Sequence, residues 1–271
     1  RPLRFAIIWN DSRAVGIGER ALDELGKRYC LNHFLNSPGN FTAARLEWVK
    51  DNEPDIVSRI HKVLLPSDYI VARLTGVIST TACSLADGIF WDYIEEGPAE
   101  RILDYFGFSE GILPDVVDNV GAQGALSSAA ADDLGLAEGI PVTYRSGDQQ
   151  NNAFSMNVLY PGEVAAKAGT SGVVYGISKR PVCDPRFRMN TFLHVNHSKQ
   201  NPRYGILCCV NGAGSLMKWL RENVLHDRNN GADYSGINRR FSRVVPRAEG
   251  LFVLPYGNGA ERSLGNLNIG M

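Results

Sequence analysis

Residues 163–177 read EVAAKAGTSGVVYGI: two apolar runs on either side of the tetrad Gly169-Thr-Ser-Gly172. Short apolar, β-branched runs flanking a Gly-rich turn are a strand–turn–strand signal. The turn leaves backbone N–H groups and two hydroxyls, Thr170 and Ser171, under little steric cover, a setting that can hold phosphate oxygens. Most turns of this kind bind nothing, and no Gly-Lys-Ser/Thr follows to make it a P-loop. Around it, 140–144, 191–195, 204–210 and 251–254 read as further strands. One helix is expected over 215–225, with Leu216, Trp219, Leu220 and Val224 on a single stripe.

The first half has a different pattern. Phe5 to Trp9 reads as a short buried strand, after which helices dominate. Ala43, Leu46 and Val49 recur every three residues over 42–50, and Pro54 can open a helix carrying Ile56, Val57, Ile60 and Val63. Further helices are expected over 69–74, 100–105 and 126–134, the last two stopped by Gly107 and Gly135. The change from helix-rich to strand-rich chain near 136–141 marks the expected domain boundary, giving domains 1–138 and 139–271.

The 271 residues are 44% hydrophobic and 21% charged, enough apolar content for a sizeable core. Lys and Arg number 28 against 29 Asp and Glu, a net charge of −1 that offers no global field to nucleic acid or an anionic membrane. The partner class expected is therefore a small molecule. Five cysteines without framework spacing read as reduced, mostly buried thiols, and no run reaches membrane-spanning length, so a cytoplasmic protein is expected. His194 and His197 would face opposite ways on a strand and have no HExxH helix pattern around them, so they read as ordinary polar positions at a strand end and no metal ligand is assigned.

Two more segments could carry chemistry. In Ser146-Gly147-Asp148-Gln149-Gln150-Asn151-Asn152 a carboxylate follows a strand, with a glycine before it to admit substrate to the backbone. An Asp so placed can take the proton of a hydroxyl attacking a phosphoryl group, or it can simply cap a helix. Four consecutive amides after it favour a polar ligand. In Trp9-Asn10-Asp11-Ser12-Arg13 an aromatic face beside polar groups suits a polyol, and the alternative is a buried Trp beside a helix cap.

In order and spacing, 8–13, 37–42, 62–69 with 73–76, 147–149, 168–173 and 254–262 resemble the FGGY family of carbohydrate kinases, closest in pattern to its pentulose kinases. The resemblance implies an α/β, actin-like (ribonuclease H-like) two-domain fold, both domains partial. The family's opening Asp-x-Gly-Thr turn and Gln-Met-His motif do not occur in these residues, so a central portion is implied, inactive by itself. The implied activity is ATP-dependent phosphorylation of a ketopentose, D-xylulose to D-xylulose 5-phosphate, with Mg²⁺. Related acceptors (glycerol, gluconate, ribulose) and a non-catalytic sugar-binding piece are the alternatives. By the resemblance Asp148 is the catalytic base, and Trp9, Asp11, Asn40 and Gln149 are sugar contacts. Gly169, Thr170, Ser171 and Gly214 then meet the ATP phosphates. The implied partners are sugar and ATP, without nucleic acid or membrane, and a homodimer is allowed.

Overall fold

The computed structural model describes residues 1–9, 11–39, 41–210, 212–225, 233–254 and 256. Its first stretch is helical because the apolar positions recur at helical spacing and glycines stop each run. α1 (Val15–Leu25) and α2 (Lys27–His33) are parted by Gly26 alone, at φ 88°. α3 (Thr42–Asn52) buries Ala43, Ala44, Leu46 and Val49, the face expected from the spacing. α4 (Pro54–Val57) and α5 (Pro66–Thr75) both start on a proline, which fits a first turn whose N–H has no partner. α4 lasts one turn only. Ile60 and Val63 still pack on the core, but Val63 N–H donates to Ile112 O (2.9 Å) instead of continuing a helix.

β1 (Ser79–Thr81) leads into α6 (Ala82–Gly88), whose start is capped by the Thr81 side chain accepting from Ser84 N–H. β2 (Trp91–Asp92) and β3 (Gly97–Pro98) form a small antiparallel pair, and α7 (Glu100–Phe106) ends at Gly107, φ 69°. β4 (Asp115–Val117) pairs parallel with β1, Thr80 opposite Val116. α8 (Ser128–Leu134) is capped by Ser127 and stopped by Gly135, φ 66°. The core of this part gathers Phe34, Leu85, Ile89, Phe90, Ile102, Leu103 and Phe106, all buried. At about 1.5–3 kcal/mol for each large apolar side chain withdrawn from water, this cluster dominates the stability of the helical layer.

α9 (Asp148–Ser155) precedes a four-stranded sheet of β5 (Val164–Ala168), β6 (Gly172–Ser178), β7 (Asn190–Leu193) and β8 (Tyr204–Val210), in the order β5-β6-β8-β7. β7 and β8 are antiparallel, Leu193 opposite Tyr204. α10 (Ala213–Trp219) runs on into one wider turn at Leu220–Val224, and α11 (Tyr234–Phe241) follows. The chain divides into two compact units, residues 1–165 with 176–207 and residues 166–175 with 208–271. The change in composition at 136–141 lies inside the first of these.

Other expectations need correction. Phe5 to Trp9 is not a buried strand: Phe5 is 95% and Trp9 66% exposed, and the run joins no ladder. Residues 251–254 likewise form no strand and are exposed. An apolar run becomes a strand only where a neighbour accepts its backbone bonds, and neither run has one among the described residues. Residues 140–144 bridge at Pro141 and Tyr144 and exchange other backbone bonds with 121–126, without forming a continuous ladder. On the stripe expected over 215–225, Leu216 and Leu220 are half-buried while Trp219 is 39% and Val224 57% exposed. The five cysteines are free, but only Cys30 and Cys83 are buried, and Cys183, Cys208 and Cys209 are half-buried. No helix among the described residues is long and apolar enough to cross a membrane.

Candidate active site

The segment that carries Asp148 is anchored three residues earlier. Arg145, 4% exposed, donates through Nε to Gln123 Oε1 (3.0 Å), through Nη1 to Ser79 O (2.7 Å) and Asp68 Oδ1 (3.2 Å), and through Nη2 to Ser79 Oγ (2.6 Å). Asp68 also accepts from the hydroxyls of Thr80 and Ser84, each at 3.0 Å. Burial lowers the pKa of Arg145 and raises that of Asp68; the charge and bond of Asp68 oppose the first shift, and the Thr80 and Ser84 hydroxyls with the Arg145 charge oppose the second. A buried guanidinium with its donors satisfied fixes the backbone at 145 to α5 and β1, so the turn beyond it starts from a rigid point.

That turn differs from its sequence reading in its cap, its glycine and its amides. Gly147 occupies the cap position of α9, so Asp148 is the first helical residue and its carboxylate is not the cap. Asp148 is exposed, and its Oδ2 accepts from Gln149 Nε2 at 2.8 Å. The glycine does not open the backbone to substrate. A Cβ on Gly147 would stand 2.3 Å from Asp87 Oδ2 and 2.7 Å from Gln150 Oε1, so protein already fills that space. Nor do all four amides face outward. Gln150, 2% exposed, donates to Asp87 Oδ1 (2.6 Å), and Asn151 accepts from the Tyr144 hydroxyl (2.9 Å). Gln149 is the amide left beside the carboxylate.

Asp87, on α6, went unnoticed in the sequence because a lone Asp in Ser84-Leu-Ala-Asp-Gly88 has no pattern around it. The residue is half-buried, and its carboxyl lies against Gly147 and Gln150. Its pKa is pushed up to about 7, first by burial and then by the charges of Asp148 and Asp68, with the Gln150 bond working against the rise.

The loop before α1 makes a second cluster. Asp11 takes Arg13 Nε on Oδ1 (2.8 Å) and Nη2 on Oδ2 (2.7 Å), and these bonds hold its carboxyl at about 2. The Arg13 guanidinium lies 4.5 Å over the Trp48 ring, and Arg45 donates to Trp9 O. Trp9 offers an open ring face rather than a buried one. Asn40 lies outside the described residues.

In the second unit the turn after β5 and the start of α10 are in direct contact. Gly214 N–H donates to Gly169 O (2.7 Å), and Ser215 N–H donates to Thr170 O (3.3 Å). A Cβ on Gly214 would stand 2.3 Å from Gly169 O, so the glycine permits backbone against backbone. Gly169, Thr170 and Gly214 are thus brought together, but two N–H groups at the start of α10 are engaged by carbonyls. The side-chain donors of the turn itself are the Thr170 hydroxyl, which is exposed, and the Ser171 hydroxyl, on a half-buried residue. Lys167, overlooked in the sequence, has its Cε 3.9 Å from where a Gly169 Cβ would stand, and so adds a cation beside the turn.

His194 is fully buried and its pKa is lowered to about 4 by that burial. Among the described residues no group of three or more His, Cys, Asp or Glu is placed to hold a metal ion.

Residues 1–155 match the sequence profile of the N-terminal domain of the FGGY family of carbohydrate kinases. The xylulose kinase of Lactococcus lactis subsp. lactis is 26% identical over 256 residues, which are 94% of this chain and 49% of that protein. Among solved structures, the xylulose kinase from Rhodospirillum rubrum superposes with a TM-score of 0.82 at 23% identity, covering 96% of this chain and 51% of that one. The Plasmodium falciparum glycerol kinase with ADP superposes with a TM-score of 0.78 at 20% identity, covering 90% and 48%. The chain spans about half the length of the curated relatives it matches. These likenesses identify the mixed helix and strand order as part of the α/β, actin-like sugar kinase fold. The matched profile takes in more than half of the chain and ends at the helix that bears Asp148: the chain belongs to the FGGY family of carbohydrate kinases.

Proposed function

We propose that the protein containing this chain phosphorylates a ketopentose with ATP, converting D-xylulose to D-xylulose 5-phosphate, and that Asp148 is its general base. The observation that carries the reading is the exposed Asp148 carboxylate at the first position of α9, with Gln149 donating to it at 2.8 Å. Phosphoryl transfer needs little covalent help from protein; it needs the attacking hydroxyl deprotonated and aimed. Asp148 accepts that proton. Gln149 fixes the carboxylate and, with the open Trp9 ring, Asp11 and Asn40, contacts the sugar. Relatives of this chain named as xylulose kinases support D-xylulose over other acceptors.

On the same reading 1–138 is the later part of the sugar domain and 139–271 the first part of the nucleotide domain. ATP phosphates meet Gly169, Thr170, Ser171 and Gly214, with the Lys167 ammonium beside them. The exposed Thr170 hydroxyl and that cation fit an anionic group. Mg²⁺ supplies charge neutralisation when bound, and in kinases it is held largely by phosphates and water rather than by an all-protein cage. The reading extends to a cytoplasmic protein, with a homodimer allowed, that binds neither nucleic acid nor membrane. It also has the 271-residue chain turn over poorly by itself.

The test assays the complete reading frame containing these residues for ADP release from Mg-ATP with D-xylulose, ribulose, gluconate and glycerol. D-xylulose is expected to give the highest kcat/KM. ADP release indifferent to any sugar overturns the proposal, as does efficient turnover by the 271-residue chain for the last part of it.

A further inference from the structure

Asp87 has no place in the reaction as described, yet its carboxyl touches the backbone that presents Asp148. Three observations locate it. Its Oδ1 accepts from Gln150 Nε2 at 2.6 Å, a part-buried bond whose donor residue is 2% exposed. Its Oδ2 occupies the position over Gly147 that a side chain at 147 would need. Gly147 and Gln150 bracket Asp148 and Gln149 in the first turn of α9.

We propose that Asp87 is a positioning residue for Asp148: its carboxyl ties α6 to the first turn of α9, and its ionisation moves that turn and the carboxylate it presents. The inference rests on Asp148 being the general base. Physically, a neutral Asp87 carboxyl accepts from Gln150 without opposing a negative charge on Asp148. An ionised one keeps the bond but sets a second negative charge beneath the same turn, which repels Asp148. The titratable and charged groups facing Asp87 are Asp148 from α9, Asp68 from α5 and Cys83 from its own helix, and Asp68 is bonded to Arg145. Burial places the exchange between the two states near neutrality, at about 7. A purely structural tie would hold the turn equally at any pH.

The test is a pH titration of the backbone amide resonances of the 271-residue chain by NMR. The signals of Gly147, Asp148 and Gln149 are expected to shift with a common midpoint of about 7. Asp87→Asn, which keeps the acceptor for Gln150, is expected to abolish that shift. Asp148→Asn, which leaves Asp87 and Gln150 in place, is expected to move the midpoint to lower pH. Amides that do not respond near neutrality, or a response that survives Asp87→Asn, overturn the proposal. Should Asp87→Asn not fold, an unchanged midpoint in Asp148→Asn overturns it equally. Failure of the underlying reading looks different: sugar-dependent ADP release by the complete frame survives Asp148→Asn while the amide titration stays as expected.

Discussion

Arg145 Nη1 stands 3.2 Å from Asp68 Oδ1, with the two side chains 2% and 1% exposed. The pair is one edge of a network that also takes in Ser79, Thr80, Ser84 and Gln123. Removing one partner strands a buried charge, which typically costs about 3–5 kcal/mol, whereas removing both does not. Arg145→Met and Asp68→Asn are each expected to lose stability on that scale in chemical denaturation, and the double variant to recover part of it. Strict additivity in this cycle would show that the two charges do not depend on each other.

Asp148→Asn keeps the shape of the side chain and removes the proton acceptor. In the complete protein kcat is expected to fall by at least about 100-fold, within the range general bases contribute, while sugar affinity by calorimetry changes by a few fold. Retained transfer would remove Asp148 from the mechanism.

Two groups shifted by burial, Asp87 and His194, pull stability in opposite directions with pH. Asp87 moves from 3.8 to about 7 on folding, so the folded chain holds a proton there that the unfolded chain has released. That contribution is complete below the unfolded value and is lost as pH rises toward 7. His194 falls from 6.5 to about 4, so its contribution is present above 6.5 and lost as pH falls. Asp87→Asn cancels only the first. Its gain in Tm over the parent chain is expected to be small near about pH 4 and to reach a plateau above about pH 7. A gain independent of pH in thermal melts counts against the raised Asp87.

Gly214→Ala forces a Cβ to within 2.3 Å of Gly169 O, and the atom it meets is backbone, which cannot swing aside. A loss of about 1–3 kcal/mol is expected from such overpacking. In the complete protein the KM for ATP should rise more than that for sugar; equal increases would separate Gly214 from the nucleotide.

The extent to which the sequence foretold this structure depends on where the deciding information sits. The ends of α7 and α8 were legible because Gly107 and Gly135 act locally through positive φ. β8 was legible to the residue because 204–210 is β-rich and has partners on both sides. Phe5 to Trp9 and 251–254 misled because apolar content does not supply a neighbouring strand. At the candidate site Asp148 and the Gly169 turn carry recognisable local patterns. Asp87, Gln150 and Lys167 matter through contacts 63 residues away or across a turn, which no local pattern encodes.

Gly76 and Gly135 have a further property: nothing lies within 4 Å of where a Cβ on either would stand. Their left-handed conformation, φ 76° and 66°, is therefore not imposed by crowding from the rest of the molecule. The endings of α5 and α8 belong to the peptide itself. They are portable: each helix grafted with its glycine into another protein should stop at the same residue, although the surroundings that buried its apolar face are gone.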